Sequence, residues 1–225
     1  MKYLVLIADI DEFNPCKNSL GNIVNREYSI KHMPAFDFSH NGHDCTVVCF
    51  GIGKVNAAMG AAYALSEGTY DGVINTGWSG AVSGLFRGDI VVSDSVVECD
   101  FDLTPIGKLP GQKPGQADYV YSCKNALYDA AVSIEGFKHG NLGCGDFFLT
   151  DAERRNRYRE IFNISAFDME SGAIGAVCYF AQMPVLSIRK ISDNADDVGT
   201  DDYKNAVVSD LTAFSDIVLK VLEKL

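Results

Sequence analysis

Acidic residues follow several of the apolar runs in this chain. Asp9, Asp11 and Glu12 close the first run, and Asp193 directly follows the run 185–192. A carboxyl group at the end of a strand is either a turn residue or a working group, and carboxyl groups can act as general acids and bases. These acids are therefore the first candidates for chemistry.

Two further acids, Asp168 and Glu170, precede an expected helix with small residues at Ser171, Gly172 and Gly175. The dipole at the amino end of a helix favours negative charge, which by itself would explain both acids. A role in chemistry is the alternative, and the residues alone leave both interpretations open.

Other kinds of reactive site find little support. The four histidines show no metal-ligand spacing, and the acidic loop of Asp193, Asp196 and Asp197 lacks the alternation and glycine of a calcium loop. There is no serine nucleophile elbow and no Cys/His signature. We therefore expect no metal and no cofactor, which leaves the carboxyl groups as candidates.

Two glycine-rich segments follow other apolar runs. Residues 51–60, GIGKVNAAMG, lack the third glycine of a dinucleotide-binding fingerprint, and a tight strand-to-helix turn explains them at least as well. In residues 74–94, a turn at Gly77 and Gly80 could expose backbone amides to an anion or a sugar. A buried crossing where only glycine fits is an equally good explanation.

Short runs rich in Val and Ile alternate with helical patterns, which predicts an α/β domain with a largely parallel sheet. The predicted strands lie at 3–8, 45–50, 72–77, 89–94 and 184–189. One helix is predicted to bury Val55, Met59, Ala62 and Leu65, and a last amphipathic helix follows from Val207, Leu211, Phe214, Val218, Val221 and Leu225. Ligands of such domains bind at the carboxyl ends of strands, where the acidic and glycine-rich segments could converge.

The composition limits the class of protein and its partners. With 225 residues, of which 47% are apolar and 22% charged, one globular domain spanning 1–225 is the simplest expectation. A formal charge of −11 argues against nucleic acid as a partner. Seven scattered cysteines favour reduced thiols in a cytoplasmic protein, and no apolar run is long enough to span a membrane.

Six segments, in this order and spacing, resemble the nucleoside phosphorylase superfamily, and within it the nucleosidases that cleave 5′-methylthioadenosine and S-adenosylhomocysteine. They are GIGKVNAA, INTG with GDIVVSD, DFDLTPIG, GDFF, DMES and RKISDNAD, and the likeness runs nearly end to end. The resemblance implies a three-layer α/β/α fold with a central mixed, largely parallel twisted sheet. It also implies a small-molecule purine nucleoside as substrate and a homodimer.

The resemblance assigns the central chemistry to three carboxyl groups. Asp193 would be the general acid that protonates the purine at N7, Glu12 would remain ionised and activate the attacking water, and Glu170 would hold the ribose hydroxyls. These roles suit the cleavage of an N-glycosidic bond, because the purine departs poorly without a proton and the sugar needs a nucleophile.

The resemblance also implies supporting residues around the substrate. Phe148 would lie against the purine, the backbone of Leu149 would read the purine edge, and Met169 would pack under the ribose. Arg189 and Ser192 would shape and steady the site.

A separate pocket for the 5′-alkylthio group would be lined by Leu103, Ile106 and Tyr203. Residues 100–122 form an irregular segment rich in proline and glycine, of a kind that often serves as a lid or a subunit contact. The resemblance implies that this loop supplies Ile106 to the neighbouring subunit's site.

Two positions depart from the family pattern. Trp78, next to Gly77, replaces a small residue of the glycine-rich turn, and a bulky indole there is expected to narrow the nucleophile's space or reshape the ribose pocket. Asp9 stands where the alkylthio pocket normally begins with an apolar side chain.

Two alternatives to hydrolysis remain at this point. A phosphorylase would use phosphate as the nucleophile and would need arginines around it, for which Arg87 and Arg189 are the only candidates in the motifs. A nucleoside-binding protein without turnover is the other alternative.

Overall fold

The computed structural model describes residues 1–196, 199–209 and 214–225. Asp197 of the acidic loop and Leu211 of the predicted last helix lie outside the described residues, as does the side chain of Val207. Within the described ranges, no helix combines the length and the apolar character needed to cross a lipid bilayer.

The strands and helices alternate along most of the chain, as the sequence predicts. The strands are β1 (Lys2–Ile7), β2 (Val24–Ile30), β3 (Met33–His40), β4 (His43–Cys49), β5 (Gly72–Ala81), β6 (Ile90–Glu98), β7 (Val120–Ser122), β8 (Phe137–Cys144), β9 (Ala166–Asp168) and β10 (Val185–Asp193). The helices are α1 (Ile10–Leu20), α2 (Lys54–Ser66), α3 (Ala126–Val132), α4 (Ala152–Phe162), α5 (Ser171–Phe180), α6 (Gly199–Ser209) and α7 (Phe214–Leu222).

The described strands form one mixed sheet, which confirms an α/β fold with a mixed sheet. Its order is β10-β6-β8-β9-β5-β1-β4-β3-β2, with β7 paired to β6. The pairings β1–β4, β1–β5, β5–β10, β6–β8 and β8–β9 are parallel. The pairings β6–β10, β2–β3, β3–β4, β5–β9 and β6–β7 are antiparallel.

Part of the sheet closes on itself, which the sequence did not predict. Because β10 pairs with both β5 and β6, the strands β5, β10, β6, β8 and β9 form a closed ring of pairings. The register between β10 and β5 shifts at Ile191/Asp193, which marks an irregularity of the β-bulge type. Such bulges bend a strand and redirect its side chains, and here the bulge lies where Asp193 leaves the strand.

Both faces of β1 are buried, which explains why its sequence is apolar without alternation. Leu4 and Leu6 belong to an apolar cluster with residues of α2 and α5. Tyr3, Val5 and Ile7 belong to a second cluster, with residues of α1, α3 and α7. The strand is thus a rigid mount for the acidic segment that follows it.

The predicted apolar face of α2 is wrong. Val55 is 78% exposed and Met59 is 41% exposed, while the buried residues of α2 are Ala57, Gly60, Ala61 and Ala64. The cause is a close approach of the helix backbone to the protein interior: a Cβ atom on Gly60 would lie 2.3 Å from Phe50 Cβ. Small residues therefore face inward, and the larger apolar side chains remain outside.

The last helix is confirmed in the described range. Phe214, Val218 and Val221 are buried on α7, whereas Leu225 lies beyond the end of that helix and is 38% exposed.

Candidate active site

One cavity of about 220 Å³ lies where β1, β5, β9 and β10 end. The expected site residues line this cavity, with two exceptions. Its lining comprises Ala8, Asp9, Glu12, Ile52, Gly77, Trp78, Ser79, Gly80, Phe147, Phe148, Leu149, Phe167, Asp168, Met169, Glu170, Arg189, Ser192, Asp193, Ala195 and Tyr203. The exceptions are Leu103 and Ile106: neither lines the cavity of its own chain, and Ile106 is 68% exposed in the loop after β6.

Glu12 is held inside the cavity by the first turn of α1. Asp9 caps this helix by accepting a hydrogen bond from the Asp11 N–H at 3.0 Å, and the turn then directs Glu12 inward, where it is 8% exposed. Glu12 Oε1 accepts a hydrogen bond from the Trp78 N–H at 3.0 Å. Gly77 leaves room for this contact, since a Cβ atom there would lie 3.0 Å from Glu12 Oε2.

Burial changes the protonation of Glu12. It raises the pKa of Glu12 to about 8, although the Trp78 N–H and the charge of Arg189 act in the opposite direction. At neutral pH, Glu12 of the free protein is therefore mainly protonated, in contrast to the ionised form that the resemblance implied. A base whose pKa lies close to neutrality is nevertheless well suited to accept a proton in a reaction.

Asp193 is buried at the end of β10, where it is 2% exposed. Its Oδ2 accepts a hydrogen bond from Ser192 Oγ at 2.6 Å, and its Oδ1 accepts one from the Ala195 N–H at 2.8 Å. A Cβ atom on Gly80 would lie 2.9 Å from Asp193 Oδ1, so the glycine permits the close approach of the carboxyl group. Burial raises the pKa of Asp193 even though both hydrogen bonds lower it, and this favours the protonated form that a general acid requires.

Asp168 and Glu170 have different roles, which resolves the two interpretations of these acids. Asp168 Oδ1 accepts hydrogen bonds from the N–H groups of Glu170 and Ser171 and from Ser171 Oγ, at 3.1, 3.0 and 2.8 Å. Asp168 thus satisfies the amino end of α5, whereas the Glu170 side chain makes no capping bond. Glu170 Oε1 instead accepts a hydrogen bond at 2.9 Å from the N–H of Gly53, in the segment GIGK.

The pKa of Glu170 is also raised, to about 7, first by burial and then by the negative charge of Asp168. Arg189 and the Gly53 N–H lower it. Glu170 therefore changes charge close to neutral pH, and its ionised form can accept hydrogen bonds from two neighbouring hydroxyl groups.

Arg189 is fully buried and is neutralised by protein groups. Its Nε donates to Asp168 Oδ2 at 2.7 Å, and its Nη2 donates to Asn75 Oδ1 at 2.5 Å. Asn75 is itself fixed, because its Nδ2 donates to the carbonyl of Leu6 at 3.1 Å. The guanidinium thus carries a balanced charge next to Glu12, and Arg189 is the only basic residue that lines the cavity in the described part of the chain.

A network of charges holds the GIGK turn in place beside Glu170. The Lys54 N–H donates to Asp146 Oδ1 at 2.7 Å, and the Asp146 N–H donates to Asp100 Oδ2 at 2.9 Å. Lys54 Nζ lies 2.6 Å from Asp100 Oδ1 and 3.1 Å from Glu98 Oε2. Lys113 of the irregular loop also pairs with Glu98. The tight-turn interpretation of this segment is therefore correct, and the turn in addition supplies an N–H group to the cavity.

Trp78 borders the cavity with its main chain facing Glu12 and its side chain packed on the C-terminal helix. The indole ring meets Phe214 edge-on, with 5.4 Å between ring centroids, and Lys190 Nζ lies 5.7 Å from the indole centroid. The bulk of the indole is thus accommodated against α7.

Aromatic rings surround the two ends of the cavity. Phe148 and Tyr203 meet edge-on with 5.4 Å between centroids, and Phe147 packs against Phe167 at 5.2 Å. Sequence reasoning did not assign Phe147 or Ile52 to the site, and no local signal marks either residue. Among the described residues, no group of three or more potential metal ligands is present.

Comparisons with known proteins agree over the length of the chain. The family model described as the phosphorylase superfamily matches residues 2–224. The 5′-methylthioadenosine/S-adenosylhomocysteine nucleosidase of Haemophilus influenzae (strain PittEE) is 32% identical over 232 residues, and the aminodeoxyfutalosine nucleosidase of Campylobacter jejuni is 26% identical over 230 residues; both alignments cover 100% of each chain. The structure of the S-adenosylhomocysteine nucleosidase of Streptococcus pyogenes in complex with 5-methylthiotubericidin matches with a TM-score of 0.90 at 26% identity, covering 100% of this chain and 97% of that one.

Proposed function

The chain belongs to the phosphorylase superfamily, and from this premise we propose that it is a purine nucleosidase. It hydrolyses the N-glycosidic bond of 5′-methylthioadenosine, S-adenosylhomocysteine or a related nucleoside and releases adenine. The observation that carries the proposal is that two buried carboxyl groups, Asp193 and Glu12, line one cavity together with Glu170.

The roles of the carboxyl groups follow from the charges that the reaction develops. Asp193 donates its proton to N7 of the purine while the electron pair of the C1′–N9 bond moves to the base. Glu12 takes a proton from a water molecule, whose oxygen forms the new bond to C1′. Ionised Glu170 holds the ribose hydroxyls and adds negative potential next to the cationic sugar.

The remaining site residues support this arrangement. We propose that Phe148 and Leu149 contact the purine, that Met169 packs under the ribose, and that Ser192 steadies Asp193. Arg189 lowers the pKa of Glu12 by its charge, so it favours the ionised form that acts as a base.

Water suits this cavity better than phosphate as the nucleophile. The guanidinium of Arg189 is already bound to Asp168 and Asn75, and Arg87 is exposed outside the cavity lining. Phosphate would also meet the negative charges of the acids. The balance of charge thus favours hydrolysis over phosphorolysis.

We also propose that two copies of the chain associate. Several large apolar side chains are exposed on α2, on α5, which contacts α2, and in the loop after β6: Val55, Met59, Tyr63, Phe180, Ile106 and Leu109. An exposed apolar surface of this kind is typical of a subunit interface. In such a dimer the loop 100–122 would bring Ile106, and with it Leu103, towards the neighbouring site.

Three further expectations are consistent with the fold. We propose one domain over residues 1–225, supported by the continuous sheet and the family match. A three-layer arrangement with a twisted, largely parallel central sheet is supported by the two apolar clusters that share alternate residues of β1. A reducing, cytoplasmic location is supported by seven free, buried cysteines.

The direct test is adenine release from 5′-methylthioadenosine and S-adenosylhomocysteine in phosphate-free buffer. We expect release in the absence of phosphate, with a free 5-substituted ribose as the second product. Strict dependence on phosphate, with a sugar 1-phosphate as product, would instead identify a phosphorylase. Binding of nucleosides without any turnover would identify a binding protein.

A further inference from the structure

We propose that Asp9 selects the 5′ substituent of the nucleoside and favours groups that carry a positive charge over neutral alkylthio groups and over anions. This inference rests on the proposed function, because it concerns a nucleoside bound in the cavity described above.

The order of the strands places Asp9 at the 5′ end of the substrate. Neighbouring strands β10, β5 and β1 deliver Asp193, Trp78 and Asp9, in that order, to the edge of the sheet. Since adjacent strands are roughly 5 Å apart, Asp9 lies roughly 10 Å from the position that protonates the base. A nucleoside with its purine at Asp193 and its C1′ near Glu12 therefore directs its 5′ carbon towards Asp9.

The same end of the cavity opens to solvent. Ile52, which follows β4 beyond Asp9, is 51% exposed, and Phe148 is 42% exposed. A 5′ substituent can therefore extend past Asp9 without displacing the buried groups around Asp193. This is the part of the cavity where the size of the substituent is least restricted and its charge can decide selection.

The carboxylate of Asp9 can interact with a ligand. Its Oδ1 accepts the helix-capping hydrogen bond from the Asp11 N–H, while Oδ2 has no hydrogen bond to any described residue. Asp9 forms no ion pair in the described part of the chain, and the one arginine that lines the cavity is bound to Asp168. The negative charge at the cavity mouth is therefore not neutralised by protein groups.

Tyr203 reports the field at this end of the cavity. Burial raises the pKa of the Tyr203 hydroxyl most, and the negative charges of Glu12 and Asp9 raise it further. The hydroxyl thus lies within electrostatic reach of both acids. A cation entering between Tyr203 and Asp9 would meet acceptor oxygens and negative potential, whereas a carboxylate would be repelled.

The experiment compares Asp9→Asn with Asp11→Asn. Asparagine caps helices as well as aspartate does, so Asp9→Asn removes the charge and retains the start of α1. Asp11 is exposed on the same helix and does not line the cavity, so Asp11→Asn is a matched change of charge nearby. Adenine release is measured for three substrates at pH 7: 5′-amino-5′-deoxyadenosine, 5′-methylthioadenosine and adenosine-5′-carboxylate.

In the wild type, each ratio of kcat/KM to that of 5′-methylthioadenosine serves as the reference. We expect Asp9→Asn to lower the ratio for the 5′-amino substrate by about 10-fold and to raise the ratio for the 5′-carboxylate by a similar factor, as for two charges near a protein surface. Asp11→Asn should change either ratio by less than about 2-fold.

Two results would overturn the inference while leaving the proposed function intact. One is adenine release from 5′-methylthioadenosine with both ratios unchanged in Asp9→Asn, and the other is equal changes in the two variants. Absence of adenine release from all three substrates in the wild type would refute the proposed function itself, and the inference with it.

Discussion

The burial of Glu12 predicts that Glu12→Gln changes protein stability with a defined dependence on pH. The pKa of Glu12 is raised from 4.5 to about 8 in the folded protein. The folded state therefore retains this proton over a range in which the unfolded chain has lost it. The stability contributed by protonated Glu12 is fully present below pH 4.5 and is lost as the pH rises towards 8. Glutamine does not titrate, so the variant should not show this loss.

The size of the effect follows from the shift of the pKa. One pKa unit corresponds to about 1.4 kcal/mol, and most of the shift of Glu12 lies between pH 5 and pH 8. Integration over that interval gives a loss of about 3 kcal/mol in the unfolding free energy of the wild type relative to the variant. Contributions from Asp193 and Glu170 are present in both proteins and largely cancel in the comparison.

The measurement is urea unfolding of wild type and Glu12→Gln at pH 5, 6, 7 and 8, at one protein concentration, so that any association affects both proteins alike. Glu160→Gln, at an exposed position of α4, is the control and should show a difference that does not vary with pH. If the difference for Glu12→Gln is equally flat, or falls as the pH rises, Glu12 is ionised in the folded protein at pH 5. The argument from burial would then be wrong.

Two further predictions concern catalysis and positioning. Asp193→Asn should lower kcat by roughly 100-fold or more, because it removes the proton donor to the base while keeping the shape of the side chain; a kcat close to that of the wild type in rapid-quench and steady-state assays would exclude Asp193 as the general acid. Lys54→Met should raise KM about 10-fold and raise the pH at which tight binding sets in, because the turn no longer holds the Gly53 N–H that lowers the pKa of Glu170. Lys54→Arg should restore both values, and an unchanged pH profile in Lys54→Met would show that Lys54 does not position Glu170.

The strand ends were the most predictable part of the site. Asp9, Glu12 and Asp193 follow apolar runs, and runs without alternation indicate strands buried on both faces, which fixed both the strands and the place where their ends meet. The carboxyl groups could therefore be assigned to one cavity before the structure was considered.

Features that depend on contacts between distant segments could not be predicted in the same way. On α2, the spacing of Val55 and Met59 satisfied a helical period, but the close approach of Gly60 to Phe50 reversed the buried face. The polar strand β2 and the closed ring of pairings around β10 likewise depend on partners far away in sequence. Asp168 looked equivalent to Glu170 because both precede one helix, and only the position of Arg189 separates their roles.

The position of Trp78 shows why a departure from a motif need not alter the chemistry of the site. At this position the cavity uses the main-chain N–H, which any residue except proline supplies, and it is this group that donates to Glu12. The side chain faces Phe214 and Lys190, so its size is constrained by packing against α7. Gly53 provides a second example, since its N–H donates to Glu170. By contrast, Gly77 and Gly80 have no side chain where one would collide with Glu12 or Asp193, so there the residue type itself is constrained. Within one glycine-rich turn, then, the positions that must remain glycine are those that face a carboxyl group with their Cα, and the position that faces one with its N–H is free to vary.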